Sequence, residues 1–307
     1  MTRLHEDSLT TALSAVTVFA PAKVNLILRV LDRRSDGFHN LWTLMQTVGL
    51  EDTVTIRLAA QHAGIRLQCD SDSLSVDQTN LVYRAAAAVL AQAQRTVGLD
   101  IQLTKRIPMG AGLGGGSSDA AATIWGINRL LNLGWSAAQM AEVGQALGSD
   151  VPFFFHAPTA VVAGRGEQVQ AVHVTDSRWV VLVNPGFPVE TKWAYQQLST
   201  TRQGMVPLSD RCAQLQSQCR TTWDDVVGLA VNDFEDPVFT THPVLQQIKM
   251  DLLNHGAQLA LLSGSGATVF GIFQAESGAR QAAAHCHGRS GIKTFVTQTA
   301  AGQIRVE

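Results

Sequence analysis

Five glycines fall within eleven consecutive positions in Pro108-Met109-Gly110-Ala111-Gly112-Leu113-Gly114-Gly115-Gly116-Ser117-Ser118. A backbone without Cβ atoms can take positive φ and let a ligand approach closely. Its successive N–H groups can then converge on one concavity that favours an anion. A helix starting near Ser118 adds unpaired N-terminal donors and the positive end of its dipole. Ser117 or Ser118 can cap that helix, and both hydroxyls are placed to meet phosphate oxygens or a metal ion. The plain alternative is a flexible linker. It fits poorly here, because an apolar strand and a strongly amphipathic helix hold the two ends.

Two familiar phosphate loops are excluded. A Walker loop ends in lysine before its hydroxyl residue, and no lysine follows these glycines. Gly110, Gly112 and Gly115 do satisfy G-x-G-x-x-G, which raises a dinucleotide oxidoreductase. That loop follows its strand directly and needs an acidic residue about 20 positions later. Here Lys105, Arg106 and Pro108 intervene, and the later stretch is Ile127-Asn128-Arg129-Leu130, inside a helix. The fingerprint is accidental.

The loop instead resembles the central motif of the GHMP kinases, P-x-x-x-G-L-G-[GS]-[GS]-S-[SA]. Pro21-Ala22-Lys23-Val24-Asn25-Leu26 is similar to the first family motif, and Leu262-Ser263-Gly264-Ser265-Gly266-Ala267-Thr268-Val269-Phe270 to the third. Further segments resemble the branch acting on a cytidyl-linked sugar alcohol: Arg33-Arg34-Ser35-Asp36-Gly37-Phe38-His39, Gly148-Ser149-Asp150-Val151-Pro152-Phe153-Phe154, Gly164-Arg165-Gly166-Glu167 and Asn232-Asp233-Phe234-Glu235. The resemblance implies an α+β fold of two domains. The first, over residues 15–175, would be like ribosomal protein S5 domain 2 and bind ATP. The second, over residues 176–307, would be a ferredoxin-like α/β sandwich, with residues 1–14 as a polar extension. It also implies a small-molecule partner, a cytidine-diphosphate-linked methylerythritol phosphorylated on its 2-hydroxyl in non-mevalonate isoprenoid precursor synthesis. Mg²⁺ is expected with ATP, held mainly through phosphates and water, since no clustered carboxylates would bind it alone. Phe38 departs from the tyrosine that often precedes the histidine, so stacking survives and a hydroxyl contact does not.

Phosphoryl transfer needs in-line positioning, neutralised charge and a base for the incoming hydroxyl. Asp150 is the candidate base, although Ser149-Asp150-Val151-Pro152 also reads as a helix N-terminus with Asp150 as cap; the resemblance favours catalysis. Lys23 lies between Ala22 and Val24 in an apolar strand, unlike a solvated lysine, and would keep that carboxylate ionised. Asn25 shares its strand face and could bond the substrate. Phe38 offers a base an apolar face, and His39 a directional hydrogen bond, though a turn histidine is the bland reading. Tyr195 is the opposite stacking face, with Trp193 as the alternative. Gly264, Ser265 and Gly266 form a second tight loop beside the first, or a plain hairpin turn. Phe38-His39 separates this reading from homoserine or mevalonate kinase, and the presence of Lys23 with Asp150 separates it from a nucleotide sensor without chemistry.

Residues 16–30 alternate as a strand pair or one long bent strand broken at Pro21, and residues 33–40 form a polar turn. Residues 41–50 and 53–58 are extended, and residues 101–103 form a strand. Helices are expected over residues 80–93, after the glycine loop with Ile124, Ile127, Leu130 and Leu131 inward, and over 136–147. Residues 202–220 are polar and Gln-rich, and read as a variable connection. A helix at 244–253, strands at 258–262 and 268–273, a helix near 278–285 and a strand at 294–297 complete the chain.

Composition agrees with a compact globule: 46% hydrophobic and 16% charged residues, with a net charge of −2 that suggests neither a nucleic-acid surface nor a polybasic membrane patch. No apolar run is long enough to span a bilayer, and Cys69, Cys212, Cys219 and Cys286 are scattered, as for reduced thiols in a cytoplasm. His285-Cys286-His287 invites a metal, but neighbouring side chains diverge on a helix or a strand, so no metal ligands are assigned.

Overall fold

In a computed structural model, residues 13–201, 206–288, 290–299 and 304–307 are described; the expected extension at residues 1–14 lies almost wholly outside them. The organising element is a long antiparallel hairpin, Ala15–Arg33 against His39–Ala59. The break expected at Pro21 is absent. The strand runs through it, and the ladder shifts register between Pro21 and Ala22. A bulge is where a residue without an N–H can be housed within a sheet. The two extended segments expected at 41–50 and 53–58 are likewise one strand.

Gly98–Thr104 pairs with the second hairpin strand, Gly64–Cys69 lies parallel outside it, and Thr159–Gly164 and Gln168–Ala171 extend the sheet from the hairpin's tip. Two short strands from late in the chain join the same sheet. Val231–Asn232 runs parallel to Ile27 and Leu28, and Arg305–Val306 antiparallel to Val18 and Phe19. Helices Leu81–Gln92 and Gly115–Leu130 pack on one face, burying Val82, Ala86 and Val89 from one and Ile124, Ile127 and Leu130 from the other. The inward stripe follows the helical period, with Leu131 half-buried against the same core. Ser136 opens the helix Ala137–Gln145 with a reciprocal capping box to Gln139.

One capping expectation is corrected. The helix after the glycine loop begins at Gly115, with Gly114 as its cap at φ 70° and no side-chain cap bond. Ser117 and Ser118 sit inside the first turn. Glycine at a left-handed position lets the main chain turn into the helix three residues earlier than the hydroxyls suggest.

A second, four-stranded antiparallel sheet has the order Leu259–Leu262, Val269–Phe273, Trp179–Asn184, Lys293–Gln298. Numbered along the chain this is 2-3-1-4, the βαββαβ arrangement of a ferredoxin-like sandwich. Helices Pro243–Asn254 and Glu276–His287 contribute Leu245, Ile248, Ala279 and Ala282 to the core on its helical side. Its other face meets the hairpin: Ala22, Val24, Leu26, Trp42 and Leu44 pack with Val180, Leu182, Phe270 and Ile272. The middle of the first hairpin strand is therefore buried on both faces, where single alternation would have left one face wet. The Gln-rich stretch also contains order: Asp210–Gln218 is a helix capped by Ser209, anchored by buried Cys212 and Leu215. Two inward positions three apart suffice for so short a helix, and its polar remainder hides them.

Candidate active site

The glycine loop is fixed by its neighbours rather than by its own bonds. The Lys23 N–H donates to the Leu113 carbonyl at 2.9 Å, the Ser263 hydroxyl to the Gly112 carbonyl at 2.9 Å, and the Thr268 N–H to the Ala111 carbonyl at 3.2 Å. A Cβ at Gly112 (φ 75°) would lie 1.9 Å from the Ser263 carbonyl oxygen, and one at Gly114 2.8 Å from Lys23 Cγ. The spacing of these glycines thus reflects close backbone approach to two other motifs.

Cavities lie on both sides of the loop. One, of about 510 Å³, is walled by Ser75, Asn80, Lys105, Asp119 and the whole stretch from Pro108 to Ser117. The other, of about 240 Å³, is walled by Lys23, Asn25, Asp150, Tyr195, Phe234 and Gly264 among others. Gly112 and Gly114 line both. The loop is the partition between a larger cavity and a smaller one that holds Lys23 and Asp150.

In the smaller cavity Lys23 is buried and its Nζ lies 3.4 Å from Asp150 Oδ2. Nζ also donates to Asn25 Oδ1 at 2.7 Å, Asn25 Nδ2 to Thr43 Oγ1 at 2.9 Å, and Thr43 Oγ1 to the Ile27 carbonyl at 2.7 Å. This chain of bonds orients the ammonium, and the shared strand face brings Lys23 and Asn25 together. Asp150 caps no helix. The 3-10 turn Pro152–Phe155 starts from Val151 without a side-chain cap, and the Asp150 side chain remains a third exposed, free to face a ligand.

The expected base-binding group is only partly assembled. His39 stacks directly on Tyr195, with centroids 4.8 Å apart and planes at 19°. Phe38 is exposed at 54%, its ring covered by the Arg165 guanidinium at 3.9 Å. Trp193 lies edge-on to His242 at 5.8 Å. Burial, reinforced by Arg33, holds the His39 imidazole below its usual pKa, so it is neutral at pH 7. Burial, with the charge of Asp150 adding, pushes the Tyr195 phenol up, so it keeps its proton.

The second glycine loop is clamped by the segment 232–235, for which the sequence suggested no role. Asn232 Nδ2 donates to the Leu262 and Gly264 carbonyls at 2.7 and 2.8 Å. Glu235 Oε1 accepts from the Leu262 N–H at 2.9 Å and Oε2 from Lys249 at 2.6 Å. Asp233 ties the same segment to the hairpin through Arg29 and the Val30 N–H. At the tip, the Ser265 and Thr191 hydroxyls are 3.0 Å apart.

Sequence reading missed a buried charge cluster beneath the larger cavity. Lys105 Nζ pairs with Asp52 Oδ2 and, at 2.7 Å, with Asp119 Oδ2. Asp52 Oδ1 accepts from the Arg106 and Ile107 N–H groups. No local pattern marked it: Asp52 follows Glu51 and Asp119 follows two serines, so each reads as an ordinary polar position. Burial, opposed by Lys105 and reinforced by Asp52, raises Asp119 to about 7. Burial alone would lower Lys105, but the two carboxylates outweigh it and raise it. Asp119 Oδ1 and Ser118 Oγ have no hydrogen-bond partner among the described residues. A buried carboxylate oxygen without a partner in the cavity wall can ligate Mg²⁺, or accept a hydrogen bond from water bound to it, so the residues present fit that ion.

The fold and both cavities now stand beside known proteins. The model for the GHMP kinases N terminal domain matches residues 80–157 and that for the GHMP kinases C terminal matches residues 215–289. The chain belongs to the GHMP kinases, ATP-dependent small-molecule kinases of two mixed α/β domains. Within them it is similar to 4-diphosphocytidyl-2-C-methyl-D-erythritol kinase of Syntrophotalea carbinolica, 44% identical over 91% of this chain and 97% of that protein. It is 43% identical to the enzyme of the same name from Geobacter metallireducens, over 88% of this chain and 94% of that protein. A solved 4-(cytidine 5'-diphospho)-2C-methyl-D-erythritol kinase superposes with a TM-score of 0.75 at 30% identity, covering 93% of this chain and 100% of that one. Homoserine kinase from Cytophaga hutchinsonii shares the fold at a TM-score of 0.76 and 22% identity, over 99% and 100% of the two chains. Among the described residues no helix is long and apolar enough to cross a membrane.

Proposed function

We propose that this chain transfers the γ-phosphoryl group of ATP to the 2-hydroxyl of 4-(cytidine 5'-diphospho)-2-C-methyl-D-erythritol, as a cytoplasmic step of non-mevalonate isoprenoid precursor synthesis. The observation that carries the reading is the glycine loop standing as a partition between two cavities, with Lys23 and Asp150 together on one side. ATP takes the larger cavity, its phosphates against the residues from Pro108 to Ser118 and the start of the helix at Gly115. The acceptor takes the smaller one. Asp150 receives the proton of the 2-hydroxyl as the oxygen attacks phosphorus. Lys23 favours the ionised carboxylate and the developing alkoxide, and Asn25 holds both it and the acceptor. His39, neutral and hence able to accept as well as donate, reads the cytosine, with Phe38 as the apolar wall and Tyr195 stacked on the imidazole to hold it in place. Mg²⁺, when bound beside Asp119, neutralises phosphate charge.

The reading is supported by curated relatives of that name at more than 40% identity, and by Phe38-His39, for which homoserine and mevalonate leave no use. A coupled ADP-release assay with the cytidylated acceptor, homoserine and mevalonate tests it. Turnover is expected with the first alone. Equal or faster turnover of either other alcohol would refute the assignment.

A further inference from the structure

Taken alone, the Asn25 amide could sit either way round, because its oxygen and nitrogen have nearly the same shape. Its two neighbours remove the choice. The Thr43 hydroxyl carries one proton, and that proton goes to the Ile27 carbonyl at 2.7 Å, a group that only accepts. Toward Asn25 the Thr43 oxygen must therefore accept, so it faces Nδ2, at 2.9 Å. At the other end the Lys23 ammonium has donors only, so it requires Oδ1, at 2.7 Å. Lys23, Asn25 and Thr43 are all buried, where an unmatched donor or acceptor is costly. The hairpin ladder slips by one residue between Asn25 and Ile27, which sets Thr43 opposite Leu28. Slips of this kind re-aim side chains beside a site.

That orientation decides what a ligand meets. Asn25 Oδ1 is taken by Lys23 and one Nδ2 hydrogen by Thr43, which leaves Asn25 a single N–H to offer. Lys23 likewise offers only N–H, and the Asp150 carboxylate lies 3.4 Å from its Nζ. Resting on the function proposed above, an alcohol oxygen held among these three groups receives hydrogen bonds from Lys23 and Asn25. Of the three, only Asp150 can take its proton. The geometry points to Thr43 as a positioning residue that acts through the Asn25 amide, making Lys23 and Asn25 donors only and so directing the alcohol proton to Asp150. With the amide turned over, Oδ1 would compete with Asp150 for that proton, and Nδ2 would face an ammonium it cannot bond.

The test is a double-mutant cycle on the full chain, read by single-turnover phosphorylation of the cytidylated acceptor with ATP affinity measured alongside. Thr43→Val keeps the shape and removes the hydroxyl. It is expected to lower the rate about 10- to 100-fold while ATP affinity changes by less than about threefold. Thr43→Ser, which keeps the hydroxyl, is expected to stay within about threefold of the wild-type rate. In an Asn25→Ala background, Thr43→Val is expected to cost less than about twofold more, because the group it acts through is already gone. ATP binding and circular dichroism report folding, and Thr43→Ala replaces the valine variant in the cycle if that one does not fold. A wild-type rate without the hydroxyl would overturn the proposal, and so would a full additive loss on top of Asn25→Ala, the mark of a residue that serves packing alone. In either case turnover by the wild type leaves the proposed function standing. If the wild type does not phosphorylate the acceptor at all, that function fails and takes this inference with it.

Discussion

At the scale of single residues, the site turns on how a lysine is made to face a carboxylate. Lys23 occupies a position whose neighbours on the strand are fully buried, so its ammonium has few options. It is satisfied by Asn25 and lies within ion-pair range of Asp150. Removing the negative charge while keeping the shape should expose the catalytic part of this pairing. Asp150→Asn is expected to lower kcat by about 10²- to 10⁴-fold, the range for loss of a general base. Its affinity for ATP, which binds on the far side of the loop, should change by less than about threefold. Stopped-flow turnover with a parallel nucleotide titration measures both; equal loss of both would show that Asp150 serves structure rather than chemistry.

Among the elements, the glycine loop and the helix it feeds are placed by partners distant in sequence. Gly112→Ala would drive a methyl into the Ser263 carbonyl and strain a left-handed φ, so the loop must move. A displacement of about 1 Å is enough to cost on the order of 10²-fold in turnover. That fall in kcat, with the secondary structure seen by circular dichroism intact, is the expected outcome, and near-normal turnover would show that the loop adapts. The charge cluster under the loop sets a pH dependence. Asp119 titrates near 7 in the fold against about 4 in an unfolded chain, so the native state holds a proton that the unfolded state has lost. Stability from this group is full below about pH 4, falls as pH rises, and is gone above about 7. Urea melts of Asp119→Asn should show a flatter decline across that window, since an amide cannot ionise; an unchanged decline would assign it to other groups.

At the scale of the whole molecule, the active site depends on a strand crossing from one half of the chain to the other. Val231–Asn232 adds to the hairpin in parallel, and the Asn232 side chain then holds two carbonyls of the second glycine loop. Asn232→Ala leaves those buried carbonyls without their donor, a loss of about 1–3 kcal/mol. Because the second loop braces the first through Ser263, this change should raise the KM for ATP as well as for the acceptor. An effect confined to stability would mean that the first loop stands without its brace.

Much of this was legible in the chain itself. The glycine motif, Lys23 with Asn25 on one strand face, and the inward stripe of the loop helix are local patterns, and a period of two or 3.6 is read directly from residue order. The helix at Asp210–Gln218 was hidden because only two inward residues hold it, and the Gly114 cap because the two serines offered the more familiar signal. The Asp52–Lys105–Asp119 cluster, the Asn232 clamp and the contact of His39 with Tyr195 join residues 14 to 156 positions apart. No sequence period encodes such meetings. They exist because packing of the two sheets about the hairpin fixes distant segments against one another and brings most buried charges and donors to partners there.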